Sequence, residues 1–182
     1  MYLFLQDRMK HSDPSKDHIF RFLFSSYYGL AGAGLTVRFL DRYFQLLADA
    51  TKHSKAHSLS AIVSTLRRCP TRRGYRTLQF SFATKLVATA VPTEPIYDSR
   101  VELVFGFQRP PNYLDFAERL QRYLKSYESI QEFYALALAD FRVQQTIKTF
   151  IARLAPKSCL PEAKALDFML WTAGGLLRKH EL

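Results

Sequence analysis

The chain has 182 residues, enough to bury one substantial core, and its 48% apolar and 23% charged content excludes a disordered polyelectrolyte. Lysine and arginine number 26 against 16 acidic residues, a formal +10. That excess leaves the fold open but points to a polyanionic partner, nucleic acid or an anionic membrane surface. Two cysteines, Cys69 and Cys159, are too few for a disulfide framework or a cysteine-built metal site, and both are expected as reduced, semi-buried thiols.

The opening MYLFLQDRMK carries too short an apolar run for a secretory signal. The uncharged window between Arg21 and Arg38 falls short of the roughly 18–20 apolar residues of a spanning helix. A soluble cytoplasmic protein without membrane contact is expected. From there the pattern is helical. Asp17–Tyr28 carries Ile19, Phe20, Phe22, Leu23 and Phe24 and stops at GLAGAG; Leu35–Lys52 places Phe39, Leu40, Tyr43, Phe44, Leu46 and Leu47 at amphipathic spacing. Ser58 caps a short helix with Leu59, Ile62, Val63 and Leu66, ended by Pro70. CPTRRGYR leads into Thr77–Val91, then VPTEP, then a helix near Asp98–Phe107.

Beyond the breaker QRPPN, Tyr113–Ala139 (with a bend near Ser129) and Phe141–Leu154 read as helices. Pro156 and Pro161 precede a last helix holding Leu166, Phe168, Met169, Leu170 and Trp171. No alternating strand, repeat or low-complexity tract intervenes. The expectation is all-α: one compact domain over residues 1–182, of seven to eight helices, with most of its 15 Phe and 10 Tyr packing the core.

Two apparent sites are set aside. GLAGAG lacks the preceding strand of a phosphate-binding glycine loop, so it reads as a helix–helix turn. His53 and His57 stand four apart, but no HExxH frame or acidic cluster completes a metal shell, and no metal site is expected. No Ser-His-Asp arrangement is evident either.

The segment Arg67–Arg76 is different. Arg67, Arg68, Arg72, Arg73 and Arg76 fall within ten residues, broken by Pro70 and Gly74. Guanidinium forks match phosphate oxygens, and a loop can present them at varied angles along a curved backbone. Such a cluster predicts salt-dependent affinity for nucleic acid. The plainer alternative is a solvated loop beside a helix C-terminus, where positive charge is favourable.

Directly downstream, FSFATKLVA and PIYDSRV resemble the helix-hairpin-helix DNA glycosylase superfamily, and within it the 8-oxoguanine DNA glycosylase-like branch. The resemblance implies that Phe80–Lys85 occupies the hairpin-plus-lysine positions and Ile96–Val101 the aspartate element. It makes Lys85 the Schiff-base nucleophile and Asp98 the carboxylate beside the deoxyribose. It puts Ser81 and Ala83 where the family has a Gly-x-Gly turn whose amides meet a phosphate. The separation from Lys85 to Asp98 is thirteen residues, several fewer than in well-known members. The resemblance is specific over these central residues, and KALDFMLW near the C-terminus fits it loosely.

The implied activity is excision of a damaged or modified base flipped out of DNA, with strand cleavage through an imine. For attack, the Lys85 ammonium must lose its proton, aided by desolvation from Phe80, Phe82 and Leu86 or by the charge of Arg100 and the upstream arginines. Tyr97 or Phe82 would stack on the base. Asp98 would also serve as a helix N-cap, a compatible role. No cofactor is implied, since the cysteines of the iron–sulfur branch are missing. Two further readings stay open: a non-catalytic DNA- or RNA-binding module on the same scaffold, motivated by Ser81 and Ala83, and a helical scaffold holding an acidic protein.

Overall fold

The computed structural model describes residues 1–52, 58–154 and 159–180, His180 by its backbone only. The pair His53 and His57 and the breaker Pro156 lie outside the described residues. Among those described, nine helices supply the regular structure, and an isolated antiparallel bridge joins Leu35 to Thr71. The all-α expectation holds. The chain gathers into two compact units, Met1–Ala90 and Val91–Leu182, which divide at the start of the helix-breaking VPTEP stretch.

The first unit begins with a helix that periodicity did not reveal. α1 (Tyr2–His11) buries Tyr2 and Leu5, too few positions to set up a visible stripe. A two-pronged ion pair at its end locks it to the next helix. Arg8 Nε reaches Asp17 Oδ2 at 2.5 Å and Nη2 reaches Oδ1 at 3.0 Å. Asp17 also accepts from Ser12 Oγ and, as N-cap of α2 (His18–Tyr27), from the Phe20 amide. GLAGAG is the helix–helix connection its context predicts; Gly29 and Gly34 have φ of 77° and 65°, open to glycine and strained for other residues.

α3 (Val37–Lys52) then buries Phe39, Tyr43, Phe44 and Leu47, with Tyr43 and Phe44 set against Phe24. The Phe24–Phe44 and Phe20–Phe44 rings meet edge to face, at 5.5 and 6.1 Å. α4 (Leu59–Arg67) starts at Ser58, whose hydroxyl accepts from the Ala61 amide. α5 (Phe80–Ala90) packs on α3 and α4 and buries Phe80, Ala83, Leu86 and Ala88. The Tyr43 hydroxyl ties the two layers by donating to the Phe82 carbonyl at 3.0 Å.

In the second unit Asp98 caps α6 (Ser99–Phe105), which stops at Gly106 in the left-handed conformation, φ 66°. Asp115 and Glu118 form a reciprocal capping box at the head of α7 (Phe116–Ala139), which runs unbroken through the expected bend at Ser129. Asp140 then caps α8 (Phe141–Leu154) through the Arg142 and Val143 amides. α9 (Glu162–His180) crosses α6 so closely that a Cβ on Gly174 would lie 2.2 Å from the Arg100 carbonyl oxygen. No helix among the described residues is long and apolar enough to cross a membrane.

Two expectations follow from this packing. Gly174→Ala drives a methyl into backbone and should cost about 2–3 kcal/mol, with a matching fall in Tm. At Gly175 a Cβ meets only the Arg100 guanidinium tip, at 3.1 Å, so Gly175→Ala should stay within about 1 kcal/mol of wild type when both variants are titrated with urea. The second expectation concerns acid. The Arg8 guanidinium holds the Asp17 carboxyl well below its usual range, and the Lys52 ammonium does the same for Asp13. Folded carboxyls that resist protonation stabilise fully above the unfolded value of about 4, and that stability is lost as pH falls below it. Asp13→Asn with Asp17→Asn should therefore lower stability at neutral pH and flatten its decline from about pH 4 to pH 2, read by chemical denaturation across pH.

Candidate functional site

The arginine segment folds as a loop braced at two points. Arg67 ends α4 and Arg68 follows as its cap. A tight turn closes through Thr71 N to Tyr75 O and Gly74 N to Thr71 O, both 2.9 Å, with Gly74 at φ 82°. The base of the turn is stitched to the chain entering α3: Arg72 N donates to Gly34 O at 2.8 Å, Arg72 Nε to Leu35 O at 3.0 Å, and Thr36 Oγ1 to Pro70 O at 3.0 Å. Arg68, Arg72, Arg73 and Arg76 are exposed, as is Tyr75 between them; Arg67 is half-buried. None of Arg68, Arg73 and Arg76 forms an ion pair among the described residues.

Lys85 sits midway along α5 in the first unit, half-buried. Its Nζ donates to the Tyr28 carbonyl at 3.2 Å and lies 5.5 Å from the centre of the Phe82 ring. Tyr28 is the C-cap of α2, where helix carbonyls lack intrahelical donors and the dipole favours a cation. Thr89 fastens the same corner, donating to Lys85 O at 2.6 Å and meeting Tyr28 Oη at 3.3 Å. The presumed hairpin positions, Ser81 and Ala83, fall inside the first turn of α5. Ala83 is wholly buried and its amide donates to Gln79 O at 3.1 Å, so it offers a phosphate nothing. The helical run expected over Thr77–Val91 already contained both residues, and α5 begins at Phe80.

Asp98 belongs to the second unit. It is buried, and its Oδ1 accepts from the Arg100 and Val101 amides at 2.9 and 3.2 Å. The segment leading to it is clamped from both sides. Tyr127 Oη lies 3.1 Å from both Glu94 Oε2 and the Pro95 carbonyl, Gln131 Nε2 donates to Glu94 at 2.8 Å, and the Ile96 amide donates to Asp167 Oδ1 at 3.1 Å. Asp167 is itself buried. It also accepts from Tyr134 Oη at 2.5 Å and pairs with the fully buried ammonium of Lys164. Burial and the Asp167 charge push the Tyr134 hydroxyl far above its ordinary range, so it stays a donor; Glu94 acts likewise on the buried Tyr127.

Two aromatic and cationic expectations meet different surroundings. Tyr97 is only 2% exposed, stacked on Phe107 and edge-on to Tyr123, so its ring is committed to packing and is not offered to a base. The Arg100 guanidinium lies 3.5 Å above the Trp171 ring and against Gly175, a stacked site on α9. Cys69 is buried as expected, whereas Cys159 is exposed. Among the described residues no group of three histidine, cysteine or acidic side chains is arranged to hold a metal.

The sequence reading missed two cations. Arg38 and Arg42 line a groove of about 590 Å³ between α3 and α4, with Arg68, Asp41, Gln45 and Cys69. Their signal was present as an i, i+4 pair on the polar side of α3, but the apolar stripe of that helix dominated its pattern. Lys164 and Asp167 are a second omission: their i, i+3 spacing suits a surface pair, and only the packed structure buries it. No family model matches this chain, and no curated protein or solved structure matches it either.

Asp167 joins a cation, a phenol and a backbone amide in a dry interior, so its removal strands all three. Asp167→Ala should cost about 3–5 kcal/mol in urea denaturation. Hydrogen exchange at the Ile96 amide should accelerate more than exchange in the middle of α7.

Proposed function

We propose that the chain is a nucleic-acid-binding protein of the helix-hairpin-helix glycosylase type, removing a flipped base from DNA with Lys85 and Asp98. The observation that carries this reading is the continuity with α5 of a loop whose exposed Arg68, Arg73 and Arg76 form no ion pair among the described residues. Salt-sensitive phosphate binding would bring a polyanion to the element that bears the lysine. The local settings of the two residues support it: an amine half-buried beside Phe82, and a buried carboxylate at a clamped helix head.

In the reaction, Lys85 first gives up a proton. Its nitrogen bonds to the sugar carbon as the carbon–base bond breaks; the base leaves with that electron pair and takes up a proton. The ring oxygen then leaves the same carbon, giving an imine and a free hydroxyl. Loss of a proton from the neighbouring carbon expels the 3′ phosphate and cuts the strand. Asp98 favours the cation-like sugar and accepts the amine's proton.

A second reading, a nucleic-acid-binding module without chemistry, is favoured by one observation: each of the two residues already has a structural task. Lys85 serves the C-terminal end of α2, and Asp98 caps α6. One experiment separates them. With DNA bearing an abasic site and borohydride, wild type should give a covalent protein–DNA adduct, absent in Lys85→Ala and reduced about 100-fold or more in rate in Asp98→Asn. No adduct, together with salt-sensitive DNA binding, would leave the second reading.

A further inference from the structure

We infer that the groove between α3 and α4 is a second phosphodiester-binding surface, in which Arg38, Arg42 and Arg68 extend the arginine loop's contact along a nucleic-acid backbone. This rests on the nucleic-acid half of the reading above and is independent of its chemistry.

The argument begins with charge. Four charged side chains line the groove: three guanidiniums and the Asp41 carboxylate. Asp41 is already paired with Arg21, which does not line the groove, Nη2 to Oδ1 at 2.5 Å, and Arg21 is held over the Phe44 ring at 5.0 Å from its centre. The groove therefore keeps the charge of all three arginines. Arg38 and Arg68 have no acidic partner among the described residues, and Arg42 makes only a long contact, 3.5 Å, to the neutral Gln45. Unpaired guanidiniums facing one groove repel each other, a cost relieved when a polyanion enters.

Continuity supplies the second argument. The groove wall passes through Arg68 and Cys69 into Pro70, which is bonded to Thr36, and Arg72 is bonded to Gly34 and Leu35. Groove and loop thus share one braced corner, so phosphates held by Arg72, Arg73 and Arg76 would continue toward Arg68 and Arg38. Thr65 and Gln45 add neutral hydrogen-bonding groups to the lining, suited to sugar and phosphate oxygens, while no aromatic side chain lines it. Contact with the backbone, without base readout, is the interaction this lining supports.

The test measures anisotropy of labelled 20-nucleotide single- and double-stranded DNA from low to moderate salt. It compares wild type, Arg38→Ala with Arg42→Ala, Arg73→Ala with Arg76→Ala, and a control Arg142→Ala. Circular dichroism melts establish folding. The groove variant should bind about 10-fold or more weakly and lose about 1–2 from its log–log salt slope, as the loop variant does, with the control unchanged. Arg38→Lys with Arg42→Lys should keep most of the slope, since the charge is retained. If the groove variant matches wild type while the loop variant weakens, the groove inference falls and nucleic-acid binding by the loop stands. Salt-insensitive or absent binding by wild type overturns both. If polyglutamate displaces DNA as well as unlabelled DNA does at equal charge, the surface recognises acidic polypeptide and the inference is likewise overturned.

Discussion

The carboxylate of Asp167 holds the irregular segment ahead of α6 in place. It stands on α9 in a dry interior, where an unpaired charge is expensive, and it is satisfied from three directions. Lys164 supplies the opposite charge from one turn earlier on the same helix, Tyr134 supplies a hydroxyl from α7, and Ile96 supplies a backbone amide. The last partner matters most for the proposed site. It fixes an irregular stretch only two residues from Asp98, so a buried ion pair on one helix sets where another helix begins. Glu94 repeats the arrangement a step upstream with Tyr127 and Gln131. A connection with two prolines has few amides of its own to pair, and side chains from α7 and α9 do the pairing instead.

α6 depends on that support. Seven residues make under two turns, too few to persist by helix propensity. Its head is capped by Asp98, its tail is turned by Gly106, and its flank lies on α9 at a glycine where no side chain fits. The Arg100 side chain then folds across Trp171 beside that contact. Each device is small, and together they hold the aspartate's main chain without a long helix beneath it.

The first unit distributes its charge in two ways. Asp13, Asp17 and Asp41 each meet a cation, and these pairs fasten α1, α2 and α3 to their neighbours. Arg38, Arg42, Arg68, Arg73 and Arg76 form no ion pair among the described residues, on a corner braced by main-chain hydrogen bonds. Pairing in one place and exposed cations in another is the distribution on which the proposed binding role rests, and the overall excess of +10 takes its meaning from it. Lys85 stands between the two: it is an ammonium placed at the carbonyl end of α2, yet carried by the helix into which the arginine loop runs.

Much of the helical order was legible from local rules. Asp17, Ser58 and Asp98 announce their helices because a short polar side chain before an apolar run caps it, and the prolines of VPTEP and QRPPN stop helices because the ring removes a donor. GLAGAG is a turn for the same kind of local reason. The arginine cluster is equally visible, being contiguous in sequence. The structure alone decided what depends on partners far along the chain: that Tyr2 and Leu5 make a buried helix of the opening segment, that Arg38 and Arg42 share a groove with Arg68, that Tyr97 is walled in by Phe107 and Tyr123, and that Lys164 and Asp167 are a buried pair instead of a surface one. Propensity and capping act within a few residues and leave their mark on the string; burial, electrostatic pairing and the closing of a groove are sums over neighbours that only folding brings together.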